Sequence, residues 1–198
     1  QDFVGSNNIN ILEPIGQFGS RIMGGSDSAQ PRYIHTQLPD LTYQIFNKED
    51  GNVLNYLNDD GFLVEPEMYV PIIPMILVNG GEGIGTGWST YVPCYNPIDI
   101  IDNIKRKIHG EEMLEMRPWY RGFTGKIEKL SEHSYLSRGK YRVEGQNKVI
   151  ISELPVRSWT DKYKEFLEGM VIESGKDSKK TQYLRNYSSY CSDTKVHF

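Results

Sequence analysis

Cysteine is scarce. Cys94 and Cys191 are the only two in 198 residues, too few for a disulfide framework and suited to a reducing compartment. Long apolar runs are missing too. The longest, Val70–Val78, is broken by two prolines and falls short of the roughly 18 residues of a membrane span. Histidine is sparse, and His35, His109, His133 and His197 show no metal-ligand spacing. There is no excess of positive charge: the formal net charge is −4, which argues against a free-standing nucleic-acid binder. Neither an initiator Met nor a basic leader opens the chain at Gln1-Asp2-Phe3-Val4. We therefore expect a segment of a longer protein without a signal peptide. No internal repeat is visible.

What is present is unevenly distributed. Arg117–Lys129 and Arg138–Lys148 are basic with aromatics between, while acidic residues gather at 49–67 and 111–115. The length allows one or two modest domains. Residues 1–39 read as short extended pieces, with Ile9–Leu12 alternating like a strand. Asp40 is placed to cap a short helix over Leu41–Phe46, and a second is expected over Val53–Leu57. The clearest helix starts at Asn96-Pro97, shows the stripe Ile98, Ile101, Ile104 and Ile108, and stops at Gly110. Three antiparallel strands follow: Gly125–Leu130, Tyr135–Glu144 and Lys148–Leu154, with breaks at Gly139 and Gly145. Ser158-x-x-Asp161 resembles a capping box for a helix whose apolar face is Tyr163, Phe166, Leu167, Met170 and Val171. Residues 173–180 read as a polar loop, and Thr194–Phe198 alternates like a strand.

Two stretches carry chemistry. In Gln30-Pro31-Arg32-Tyr33-Ile34-His35-Thr36, a cation adjoins a phenol. A tyrosine hydroxyl is a poor nucleophile near neutrality, its ordinary pKa being about 10. A neighbouring guanidinium favours the phenolate and can brace an anionic transition state. The plain alternative is an ordinary Arg-Tyr pair at a strand start. In the second stretch, Asn79–Thr90, five glycines occupy the eight positions from Gly80 to Gly87. It lacks the Gly-Lys-Ser/Thr ending of a phosphate loop and the Gly-x-Gly-x-x-Gly spacing of a dinucleotide loop. What remains is Ile84, held between two glycines on a chain that can approach a large ligand closely. Such a side chain can wedge between base pairs; by residue type alone, a buried isoleucine is the plainer reading.

Together these stretches resemble the DNA breakage-reunion region of eukaryotic-type DNA topoisomerase II. The matching words span nearly the whole chain: Phe3–Asn10, Pro14–Arg21, Gly24-Gly25, Arg32-Tyr33-Ile34, Val64–Glu67, Pro71–Gly80, Glu82–Ser89 and Ile151–Thr160. Bacterial gyrase-type proteins share the Arg-Tyr and Gly-Ile elements, but the wording here is closer to the eukaryotic enzymes. The resemblance implies that Tyr33 attacks a DNA phosphate and keeps the 5′ end as phosphotyrosine. Arg32 would stabilise the transition state, Ile84 would enter the base stack, and Trp159 would touch DNA. Two departures are visible: Ser26 stands where the family usually has Lys, and Asn186–Cys191 replaces a more charged segment.

The implied fold is mixed α+β. Residues 1–60 would be the C-terminal part of a winged-helix domain with the catalytic tyrosine loop. Residues 61–198 would be an α/β tower domain with a small, mostly antiparallel sheet, incomplete at its C-terminus. The implied cofactors, Mg²⁺ and ATP, would bind elsewhere in the full-length enzyme. This chain has no Glu-Gly-Asp-Ser-Ala or Asp-x-Asp motif, so no metal site is assigned to it. The implied partners are double-stranded DNA and a second copy of the enzyme, with no membrane, and the implied location is the nucleus. The chain alone is expected to be inactive. The alternative is a non-catalytic DNA-bending or protein-interaction module. A small-molecule enzyme has no supporting motif.

Overall fold

The structure, a computed structural model, describes residues 1–171 and 183–198. The expected polar loop at 173–180 lies outside the described residues. Two antiparallel strands separated in sequence, β1 (Glu13–Ile15) and β2 (His35–Gln37), pair in the register Glu13 to Gln37. Helix α1 (Asp40–Ile45) follows, then a 3-10 turn, Lys48–Asn52. The hairpin of β3 (Tyr56–Asp59) and β4 (Phe62–Pro66) leads to the short helix α2 (Met75–Asn79). The glycine-rich stretch forms a second hairpin, β5 (Gly81–Gly85) with β6 (Trp88–Val92). After α3 (Pro97–Ile108) come two more hairpins, β7 (Lys126–Ser131) with β8 (Ser134–Arg138) and β9 (Lys140–Glu144) with β10 (Lys148–Glu153). Helix α4 (Thr160–Glu168) closes the order.

The mixed helix and antiparallel-strand character matches the expectation. The single small sheet does not: among the described residues there are five separate two-stranded ladders. The long central strand expected at 135–144 is split at Gly139. A Cβ there would collide with the backbone of Glu153, so only glycine lets the chain turn from β8 into β9.

Several local expectations are corrected. The helix expected over Val53–Leu57 is absent; the turn ends at Asn52 and Tyr56 already belongs to β3. Asp40 is the first residue of α1 rather than its cap, because Pro39 holds the extended cap position. Ser158 does not cap α4; Trp159 does, without a side-chain bond. Ile9–Leu12 is not a strand, and pairing starts at Glu13. Thr194–Phe198 forms no named strand, yet Phe198 exchanges both backbone bonds with Ile151, at 2.9 and 3.1 Å.

In α3 the cap is as expected, with Asn96 accepting from Ile98 N at 3.0 Å, and Gly110 leaves the helix at φ 75°. The buried face is shifted. Ile100 is buried, with Ile101 and Ile104 partly buried, whereas Ile98 and Ile108 are exposed. The helix is anchored through Ile100 and Asn103, whose amide exchanges bonds with Leu114 at 2.9 and 2.7 Å. At 3.6 residues per turn, that anchor turns Ile98 away from the core. The core itself is Ile73, Val78 and Ile100, with Ile9, Met75, Leu77 and Met116 packed around it.

Two polar groups stitch the chain start to the rest of the molecule. Asn8 is buried; its Nδ2 donates to the carbonyls of Val78 (2.9 Å), Trp119 (3.1 Å) and Tyr95 (3.3 Å), and its Oδ1 accepts from Arg121 N at 2.8 Å. Arg21 forms an ion pair with Glu153, and both side chains are only 6% exposed. Arg21 also donates to Leu154 O at 3.2 Å, while Glu153 accepts from the Thr124 hydroxyl at 3.2 Å. A buried pair satisfied in this way strongly resists loss of one member.

Candidate nucleic-acid interface

Tyr33 closes a 3-10 turn, Pro31–Tyr33. Proline suits the first position because its missing N–H would have no partner there. Tyr33 N donates to Gln30 O at 2.9 Å, and the chain passes at once into β2, which β1 holds. The turn is therefore fixed on its exit side. On its entry side Asp27 pins the loop. Its carboxylate accepts from Ser20 N (2.8 Å), Ser20 Oγ (2.6 Å) and Gln17 Nε2 (3.0 Å). Partial burial pushes the Asp27 carboxyl up, but these bonds outweigh it and hold its pKa below the ordinary value. The Tyr33 side chain projects into solvent, 69% exposed, with the Arg32 guanidinium 5.7 Å from its ring centre. Arg32 and Tyr33 are thus brought together on an exposed, doubly tethered turn.

Ile84 lies near the tip of the β5–β6 hairpin, paired across to Ser89, and is 89% exposed. The buried reading of this residue does not hold. The glycine beside it at 83 has open space around it, and the one at 85 is nearly as free. Their lack of side chains answers no need inside the chain and leaves the hairpin tip thin.

Trp159 sits in the loop between β10 and α4, half-buried. Its ring meets Phe3 edge-on at 5.7 Å between centroids. It also fills the space beside Gly24, where any Cβ would strike the indole. In this structure Trp159 thereby supports the glycine turn that leads into the Arg32-Tyr33 loop. Two residues earlier, Arg157 bonds Glu82 of β5 at 2.8 Å and covers the ring of Tyr91 of β6 at 4.9 Å. One short loop thus touches both the run-up to Tyr33 and the hairpin of Ile84.

The basic stretches form exposed hairpins laced with carboxylates. Glu128 pairs with Lys126 (2.8 Å) and Arg138 (3.0 Å), Glu115 with Lys129, and Glu144 with Lys148 and Arg142. Solvent-exposed pairs of this kind are worth about 0–1 kcal/mol each, so a phosphate can displace the carboxylates. Among the described residues, no group of three or more His, Cys, Asp and Glu side chains comes together. These residues do not fit the Mg²⁺ that the resemblance implies.

Sequence reasoning missed Asn8, Arg21, Asp27, Arg157 and Asn103. Their partners are distant in sequence or belong to loops, and no periodicity marks them.

Comparisons with known proteins place the chain in a family and match its overall fold. Over residues 1–198 the chain matches the model of the DNA gyrase/topoisomerase IV A-subunit family, and it belongs to that family. Its relatives place it on the eukaryotic type II side. It is 46% identical over 198 residues to DNA topoisomerase 2 of Penicillium chrysogenum, covering 100% of this chain and 12% of that protein. It is 49% identical over 199 residues to DNA topoisomerase 2 top-2 of Caenorhabditis elegans, covering 100% of this chain and 13% of that one. The crystal structure of the Plasmodium falciparum topoisomerase II DNA-binding, cleavage and re-ligation domain superposes with a TM-score of 0.91 at 47% identity, covering 100% of this chain and 26% of that chain. The chain therefore spans about an eighth of the length of the curated relatives it matches.

Proposed function

We propose that this chain carries the tyrosine turn and the bending hairpin of an ATP-dependent type II DNA topoisomerase. That enzyme would open a transient double-strand break and pass a second duplex through it. The observation that carries the reading is the exposed Arg32-Tyr33 pair on a tethered turn, within a chain that matches the family along its whole length. Tyr33 Oη attacks a backbone phosphorus. Its bond to phosphorus forms as the bond to the 3′ oxygen breaks. The phenolic proton passes to water, the departing 3′ oxygen takes a proton from water and leaves as a hydroxyl, and the 5′ end stays on the tyrosine as a phosphodiester. Arg32 holds two phosphate oxygens through its planar fork as charge builds there. Ile84 enters the base stack and keeps the duplex bent. Trp159 offers DNA the part of its ring not covered by Phe3, and the basic hairpins follow the phosphates.

In this reading residues 1–60 end a winged-helix domain and residues 61–198 form most of a tower domain. The bonds of Asn8 and the Arg21–Glu153 pair cross that boundary. Mg²⁺ and ATP are assigned to other parts of a nuclear, homodimeric enzyme, and the isolated chain is inactive. A second reading, a DNA-bending or protein-interaction module without catalysis, is favoured for the isolated chain by its having no Glu-Gly-Asp-Ser-Ala or Asp-x-Asp motif. In the full-length enzyme, Tyr33→Phe should keep DNA affinity and abolish the covalent adduct. An adduct on the phenylalanine variant would remove Tyr33 from its role.

A further inference from the structure

Beside the packing of Ile76 against Gly81 and the Tyr91–Tyr120 contact, one charged side chain ties the hairpin that carries Ile84 to the rest of the molecule. Among the described residues, Arg157–Glu82 is the only ion pair that reaches β5 or β6. Glu82 and Tyr91 are cross-strand partners, two residue pairs inward from Ile84 and Ser89. Arg157 bonds the first at 2.8 Å and stacks over the second at 4.9 Å, so one guanidinium grips both strands at the hairpin's root. The tip gives no such anchor: a Cβ at 83 or 87 would meet nothing within 4 Å. Arg157 itself takes φ 66°, a left-handed conformation that side-chain-bearing residues seldom adopt. Such conformations persist where the surroundings over-determine them and cluster at functional sites. Its loop neighbours Val156 and Trp159 pack against Gly5 and Gly24, which anchors the loop to the body.

We infer that Arg157 is a positioning residue: it sets the angle at which the hairpin presents Ile84 to the duplex, acting through Glu82 and Tyr91 rather than on DNA. The inference rests on the wedge role proposed for Ile84. Its rival is a direct phosphate contact, since Arg157 is a half-exposed cation beside the same hairpin.

The two are separated by Glu82. In the full-length enzyme, a duplex labelled at both ends reports bending by energy transfer, and titrations at several salt concentrations report affinity and salt slope. Arg157→Gln and Glu82→Gln should each lower the bent population by about tenfold, and the double variant should be no worse than the worse single. Arg157→Lys should recover part of the bend by keeping the ion pair. The salt slope should stay unchanged throughout. A phosphate contact predicts the reverse: Arg157→Gln lowers the salt slope by about one, and Glu82→Gln leaves bending intact. That pattern overturns the inference. Ile84→Ala runs in parallel. If it abolishes bending while Arg157→Gln and Glu82→Gln do not, the clamp fails and the wedge stands. If Ile84→Ala bends normally, the wedge reading falls and the clamp falls with it. Glu82→Gln alters an exposed side chain, so the outcome does not depend on whether Arg157→Gln folds.

Discussion

Replacing Ile84 with alanine removes three carbons from the hairpin tip without opening a cavity. Ile84 is 89% exposed, so almost none of its surface is taken from water by folding. Surface substitutions usually stay within about 0.5 kcal/mol. For a domain of this size that is a melting shift of about 1–2 °C. A buried isoleucine would behave otherwise, losing about 2–5 kcal/mol. On DNA the order is reversed. Each carbon buried between base pairs is worth about 0.8 kcal/mol, so three are worth about 2.4 kcal/mol. That gain offsets the few kcal/mol needed to unstack a step. Losing it should shift the equilibrium between bent and straight duplex by about fifty-fold. Energy transfer across an end-labelled duplex should show the bend collapsing, and single-turnover cleavage should fall with it. A large drop in melting temperature with normal bending by the surviving folded protein would refute the reasoning.

Arg32→Lys keeps the charge and loses the fork; single-turnover cleavage should slow by about a hundredfold or more at nearly constant affinity, and an unchanged rate would make the arginine structural. Arg21→Met leaves the Glu153 carboxylate buried without its ion-pair partner and should destabilise the fold by about 3–5 kcal/mol in chemical denaturation. Asp27→Asn should loosen the loop ahead of Tyr33 and slow cleavage. Because the folded pKa of Asp27 lies below the ordinary value, its contribution is fully present above about pH 4 and is lost as pH falls through the depressed value. The wild-type loop should therefore show unchanged amide exchange protection from pH 8 down to about pH 5. Loosening inside that range would show that another group governs it.

Legibility followed distance along the chain. The α3 cap was readable because Asn96 reaches only as far as Ile98. The adjacency of Arg32 to Tyr33, and of Ile84 to its two glycines, is legible for the same reason, since neighbours in sequence are neighbours in space; the exposure of Ile84 is not, because its residue type alone points to burial. Ile101 and Ile104 of the α3 stripe meet the core while Ile98 and Ile108 face solvent, because apolar spacing marks a face without showing which side is buried. Asn103, polar and buried, made that choice by bonding Leu114. The helix expected at Val53–Leu57 failed because Tyr56 pairs with Pro66 in a hairpin, and local propensity carries no information about that partner.

By itself, the sequence determined the chemical groups. It supplies a phenol beside a guanidinium, an isoleucine between glycines, and hairpins of mixed charge. Tertiary structure alone decided how they are held. Arg121 N reaches Asn8 across 113 positions, Arg21 reaches Glu153 across 132, and Arg157 reaches Glu82 across 75. Each joins a polar group to a partner that no spacing rule connects to it. The physical reason lies in burial: once folding removes Asn8, Arg21 and Glu153 from water, each must find a partner within hydrogen-bond reach, and only the packed chain determines which group is near enough.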